Sequence, residues 1–121
     1  MDMTQAVEAF GALAQPTRLS VFRLLVEAGA DGLAAGDIAR RLEVPHNTLS
    51  THLGLLARAG LATSRRAGRS VIYSADQDGL RALLAFLLED CCRGRPELCA
   101  PLLAAALPAA CCPTPAPRQR I

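Results

Sequence analysis

Apolar positions in the first half of the chain recur at three- and four-residue intervals, the period of helices with one buried face. Val7, Phe10, Leu13 and Ala14 form such a stripe, and Gln15-Pro16 closes it, because proline is favoured in the first turn of a new helix. The second helix runs from Pro16 to about Ala28 with Leu19, Phe22, Leu25 and Val26 on one face; Gly29 and Asp31-Gly32 supply a stop and a turn. A short third helix spans about Ala35 to Leu42 with Ile38, Ala39 and Leu42 inward, and Val44-Pro45 forces an extended link. The fourth helix begins near His46 and reaches about residue 59. The period then shortens: Ala62 to Arg66 and Ser70 to Ser74 read as two strands around Ala67-Gly68-Arg69. From Gly79 to Leu88 the apolar residues cover almost the whole helix circumference, and Arg81 is the only charge.

Helix, short turn and a second helix rich in small polar side chains is the layout of a helix-turn-helix reader, although an ordinary helical corner has the same outline. On a helical wheel of residues 46 to 59, Leu49, Leu53 and Leu56 fall on one side, with Asn47, Thr51 and Arg58 on the other. Thr48, Ser50 and Gly54 flank that polar side, and short donors and acceptors of this kind suit base edges and phosphates better than they suit plain solvation. His46 is a phosphate neighbour at the helix start. His52 lies close to the apolar side, where a hydrogen-bonded structural role is at least as good a reading as a DNA contact. The hairpin that follows is a wing able to place Arg65, Arg66 and Arg69 on phosphates or in a minor groove; the alternative is an edge hairpin protected from aggregation by its charge.

Charge distribution agrees with a nucleic-acid partner. The chain of 121 residues carries a net charge of only +2, yet residues 40 to 75 hold six Arg against one Glu, a local balance of +5. The length makes a single domain, and 51% hydrophobic with 3% aromatic residues implies a core of Leu, Ala and Val between closely packed helices. The fold class is therefore mostly α with a β-hairpin wing. The acidic, amphipathic start is unlike a signal peptide and later apolar runs are interrupted, so the expectation is a cytoplasmic protein with no membrane partner. No nucleophile–base pair or phosphate loop is present, so the chain is not expected to be an enzyme.

The stretches LAQPTRLSVFRLL, GDIARRLEVPHNTLSTHLGLLARAGLA and RRAGRSVIYS, in that order over about residues 5 to 92, closely resemble the ArsR/SmtB family of winged-helix repressors. The resemblance implies a winged helix-turn-helix, a double-stranded operator DNA partner and a homodimer through the first and last helices. The all-round apolar helix of residues 79 to 88 points the same way, since one small subunit cannot bury it. In such a dimer the two reading helices face successive major grooves about 34 Å apart. Residues 1–92 then form the DNA-binding and dimerisation domain, and residues 93–121 a cysteine-containing extension with a Pro-rich tail.

The inducer must be read from the five cysteines. Cys91, Cys92 and Cys99 form the string CCRGRPELC, and in a reducing compartment such a cluster serves ligation or redox chemistry rather than a structural disulfide. In an unbroken helix Cys99 would lie about 10.5 Å along the axis from Cys92, so a break between Arg93 and Pro96 is required. Three thiolates with no histidine suit a soft centre that three sulfurs saturate, and trivalent arsenic leads, with antimony as a congener. Some members of the resembled family are similar in carrying a vicinal cysteine pair plus a third cysteine and respond to arsenite. The cysteines that other arsenic repressors carry before the reading helix are absent from GDIARRLEV, and the zinc-sensor pattern lacks its histidines. Cys111 and Cys112 read as accessory ligands or as idle. The leading function is a repressor that releases its operator on binding As(III). A thiol-redox or persulfide-responsive repressor is the alternative, since Arg93 and Arg95 favour thiolates; a thiol-rich carrier or interaction scaffold is the reading from another class.

Overall fold

The computed structural model describes residues 1–88 and 96–106. The chain divides into two units, Met1–Phe86 and Leu87–Ile121. The first holds α1 (Met3–Leu13), α2 (Pro16–Ala28), a 3-10 turn (Gly29–Asp31), β1 (Leu33–Ala34), α3 (Ala35–Leu42), α4 (His46–Arg58), β2 (Ala62–Ala67), β3 (Ser70–Ala75) and most of α5 (Gln77–Leu88). The second holds α6 (Pro96–Ala106). No helix among the described residues is long and apolar enough to cross a membrane.

Local chemistry sets each boundary. Asp2 caps α1 through a reciprocal capping box with Gln5, satisfying amide groups that would otherwise be orphaned. Pro16 opens α2, and the Gln15 side chain accepts from the amide of Arg18. The third helix ends in a Schellman arrangement: Val44 N–H bonds to Ala39 C=O, Glu43 N–H to Arg40 C=O, and Glu43 takes the left-handed conformation at φ 54°. Glu43 to Pro45 is thus the sharp turn between α3 and α4. The hairpin closes through the two residues Gly68-Arg69, with Ala67 paired to Ser70. Only Gly68 has a positive φ there, as a II′ turn requires at its first central position.

The core lies between α1, α2, α3 and α4 and extends under the sheet. Val21, Phe22 and Leu25 of α2, Ile38 of α3 and Leu49, Leu53 and Leu56 of α4 are buried, joined by Leu61 and by Leu83 of α5. Each fully buried leucine contributes about 1.5–3 kcal/mol relative to an exposed one, so the α4 triad firmly fixes which face of that helix turns outward.

Three expectations change. The buried stripe of α1 is Ala6, Ala9 and Ala12, whereas Val7 and Phe10 are 61% and 42% exposed. Small side chains let α1 sit close to its neighbours and leave its larger apolar residues facing away. On α2, Phe22 and Leu25 are buried but Leu19 and Val26 are exposed. Thirdly, the wing is part of a three-stranded antiparallel sheet of order β1-β3-β2, because Leu33 and Ala34 pair with Tyr73 and Ile72. In the second unit, residues 96–106 form a helix that opens on Pro96 and continues through Pro101.

The start of α5 is anchored to the end of α4. Asp76 N–H donates to the Leu61 carbonyl, and the Asp76 carboxylate accepts from Gly79 N–H at 3.0 Å. Gly79 presses on the peptide of Gly60, so closely that any Cβ there would overlap the Gly60 carbonyl oxygen.

Candidate nucleic-acid interface

The outward face of α4 carries the side chains the wheel selects. His46, Asn47, Thr48, Ser50, Thr51 and Arg58 are all exposed, while Leu49, Leu53 and Leu56 hold the opposite face in the core. The short side chains are preset by local bonds: Ser50 Oγ donates to the His46 carbonyl at 3.1 Å, Thr51 Oγ1 to the Asn47 carbonyl at 3.4 Å, and Asn47 Oδ1 accepts from Thr48 N–H. No side chain caps the start of α4 from Pro45, so the amides of His46 and Asn47 stay available to an acceptor such as a phosphate oxygen.

His46, Arg69 and Ser70 meet Arg40, Gly36 and Asp37 around a cleft of about 380 Å³ between the first turns of α3 and α4 and the wing tip. Three residues able to bear positive charge, from three different elements, thus border one opening. Arg40 is the residue sequence reasoning missed at this place. It counted in the basic segment, but nothing in one-dimensional spacing says that α3 turns it toward the wing. Its guanidinium pairs with Asp37 on the same helix, an exposed i,i+3 pair of small energetic weight.

The wing arginines separate. Arg65 and Arg66 are consecutive on β2 and so project to opposite faces of the sheet. Arg65, Arg66 and Arg69 are all exposed, but Arg65 Nη2 donates to the Asp31 carbonyl at 3.0 Å and ties β2 to the 3-10 turn. At the other end of α4, Arg58 borders a second cleft with Arg18 and Glu8. His52 is half-buried and its Nδ1 lies 3.3 Å from Arg18 Nη1. A guanidinium can only donate, so in this contact Nδ1 is the acceptor.

Of the cysteines, Cys91, Cys92, Cys111 and Cys112 lie outside the described residues, as does the stretch 89–95 where the helix break is expected. Cys99 is placed only to the extent that its backbone belongs to α6. Among the described residues, no group of three His, Cys, Asp or Glu could hold a metal ion.

Comparison with known proteins agrees with this layout. A helix-turn-helix domain family matches residues 13–65. An HTH-type transcriptional regulator of Methanocaldococcus jannaschii is 32% identical over 85 residues, 70% of this chain and 93% of the relative. Transcriptional repressor SdpR of Bacillus subtilis is 33% identical over 82 residues, 64% of this chain and 88% of the relative. Among solved structures, the homodimeric winged helix-turn-helix DNA-binding domain of a possible ArsR-family transcriptional regulator from Mycobacterium bovis superposes with a TM-score of 0.60 at 28% identity, over 73% of this chain and 81% of that one.

Proposed function

We propose that the chain, which belongs to the helix-turn-helix transcriptional regulators, a family of regulators and not of enzymes, is a homodimeric repressor of the ArsR type that releases its operator when trivalent arsenic binds Cys91, Cys92 and Cys99. The DNA half of this reading is carried by one observation: Arg40, His46 and Arg69 border a single cleft beside an α4 face of short hydrogen-bonding side chains. Cations position a reader on the phosphate backbone, and short donors at the groove read base edges.

Dimerisation is supported by apolar side chains that one protomer leaves uncovered, Met3, Val7 and Phe10 on α1 and Leu84 on α5. The M. bovis neighbour is homodimeric, and the B. subtilis relative is a repressor. The arsenic half rests on the sequence: three thiols within nine residues, flanked by Arg93 and Arg95, which favour the thiolate form that ligates soft ions. Those thiols would hold the metalloid, and antimonite, its congener, would compete for them. To regulate, occupancy must favour the DNA-free state by a few kcal/mol.

The test is fluorescence anisotropy on a duplex selected by the protein from a random library, titrated with salt and then with arsenite, antimonite and zinc. Expected are a steep loss of affinity with salt and release by arsenite, the release being lost in Cys91→Ser, Cys92→Ser and Cys99→Ser. Salt-insensitive or absent binding overturns the operator reading. Arsenite release that survives in all three variants overturns the site, and release by oxidant with a new disulfide in the mass spectrum replaces it with the redox alternative.

A further inference from the structure

We propose that the cleft between α1, α2 and the last turn of α4 is a site for a small zwitterion of the α-amino acid class with an apolar side chain. The cleft measures about 290 Å³ and is bordered by Glu8 and Ala12 of α1, Arg18 of α2, Leu55 and Arg58 of α4 and Ala59 just beyond α4. It shares no lining residue with the cleft beneath the wing.

The argument starts from Arg18. This side chain is half-buried and fixed, its Nε donating to the Ala12 carbonyl at 2.6 Å and its Nη1 to His52 Nδ1 at 3.3 Å. Neither partner is a carboxylate. Among the described residues the ion pairs are Arg40–Asp37 and Arg81–Asp78, so no described carboxylate lies within salt-bridge distance of Arg18 or Arg58. A guanidinium drawn partly out of water without a counterion is costly, and it retains N–H donors in the fork geometry that suits a carboxylate.

The remaining lining selects among anions. Ala12, Leu55 and Ala59 give the cleft an apolar wall, for which a phosphodiester backbone has no use. Glu8 contributes a carboxylate that repels a plain anion and attracts a ligand carrying its own ammonium group. Two guanidinium groups for a carboxylate, one carboxylate for an ammonium and an apolar wall are together complementary to an apolar amino acid. Small-molecule sites commonly combine a largely apolar lining with a few placed polar groups, and this volume is at the small end of their range. If the operator-binding reading holds, the site also has an output, because Arg58 sits at the end of the reading helix and a bound carboxylate withdraws its charge from DNA.

The test needs no DNA. Isothermal titration of the full chain uses three probes with one apolar body: L-leucine, 4-methylpentanoate, which lacks the amine, and 3-methylbutylamine, which lacks the carboxylate. Leucine binds with Kd on the order of 1 mM and each of the other two at least about tenfold more weakly. Arg58→Ala and Glu8→Gln replace exposed side chains and so leave the fold intact; each lowers leucine affinity at least about tenfold, and Glu8→Gln narrows the preference for leucine over 4-methylpentanoate. The absence of heat with all three probes overturns the proposal. So does leucine binding that survives unchanged in both variants, or equal binding of leucine and 4-methylpentanoate by the native chain. None of these outcomes bears on whether the protein binds an operator.

Discussion

Replacing Gly79 by alanine should destabilise the protein, although alanine is the better helix former. In open helix the change would gain about 0.5–1 kcal/mol. Here the new Cβ overlaps the Gly60 carbonyl oxygen and stands 3.0 Å from the carbonyl carbon, and both atoms belong to backbone that no rotamer change can clear. The first turn of α5 must therefore shift by on the order of 1 Å, which stretches the bonds from Asp76 to Leu61 and from Gly79 to Asp76. Overpacking costs about 1–3 kcal/mol, and an overlap with immovable backbone belongs in the upper part of that range, so after the helix gain a net loss of roughly 1–2 kcal/mol remains. At fixed protomer concentration the thermal midpoint followed by circular dichroism should fall by roughly 3–10 °C. Gly11→Ala is the counterpart, since nothing lies within 4 Å of a Cβ added there, and its midpoint should rise. An unchanged or raised midpoint for Gly79→Ala would refute the view that α5 is seated on the end of α4 through that contact.

Three further outcomes follow from the same geometry. Leu53→Ala empties a fully buried position on the inner face of α4 and should cost about 2–5 kcal/mol in urea unfolding; a loss below about 1 kcal/mol would mean the helix is not held by its apolar triad. Arg69→Ala, at an exposed wing-tip position, should leave the thermal midpoint unchanged and reduce the slope of log affinity against log salt by about 0.9; an unaltered slope would remove the wing tip from the phosphate contacts. Leu84→Glu charges an exposed apolar position of α5 and should yield monomers in analytical ultracentrifugation with weakened operator binding; a stable dimer would place the interface elsewhere.

How far the sequence spoke for the structure varied from element to element. Helix α3 was readable to both ends because Val44-Pro45 dictates an extended link, and α4 because its leucine triad has a single period. On α1 two apolar stripes compete, and the sequence favoured the larger residues, Val7 and Phe10. The alanines won the interior because close helix packing rewards small side chains, while bulky ones serve a surface awaiting another partner. The two residues of β1 are too short to show any period, and their partner strand lies about forty residues away. Pro96 marks the far end of the break that the cysteine spacing requires, and in the structure it occupies the first position of α6, where its missing N–H has no partner to lose. At the site, the polar face of α4 was legible because it is local. Arg40 and Arg18 were not, since their importance arises only where separate elements converge.

The third strand has a consequence for how regulation can work. Pairing of β1 with β3, the Arg65 bond to Asp31 and the Ser74 hydroxyl on the Ala30 carbonyl fasten the hairpin to the segment joining α2 and α3. The hairpin is consequently yoked to the entry of the helix-turn-helix and cannot swing without carrying that segment. A head built like this behaves as one jaw of a caliper: its own profile is fixed, and the quantity left for an effector to adjust is the gap to the opposite jaw.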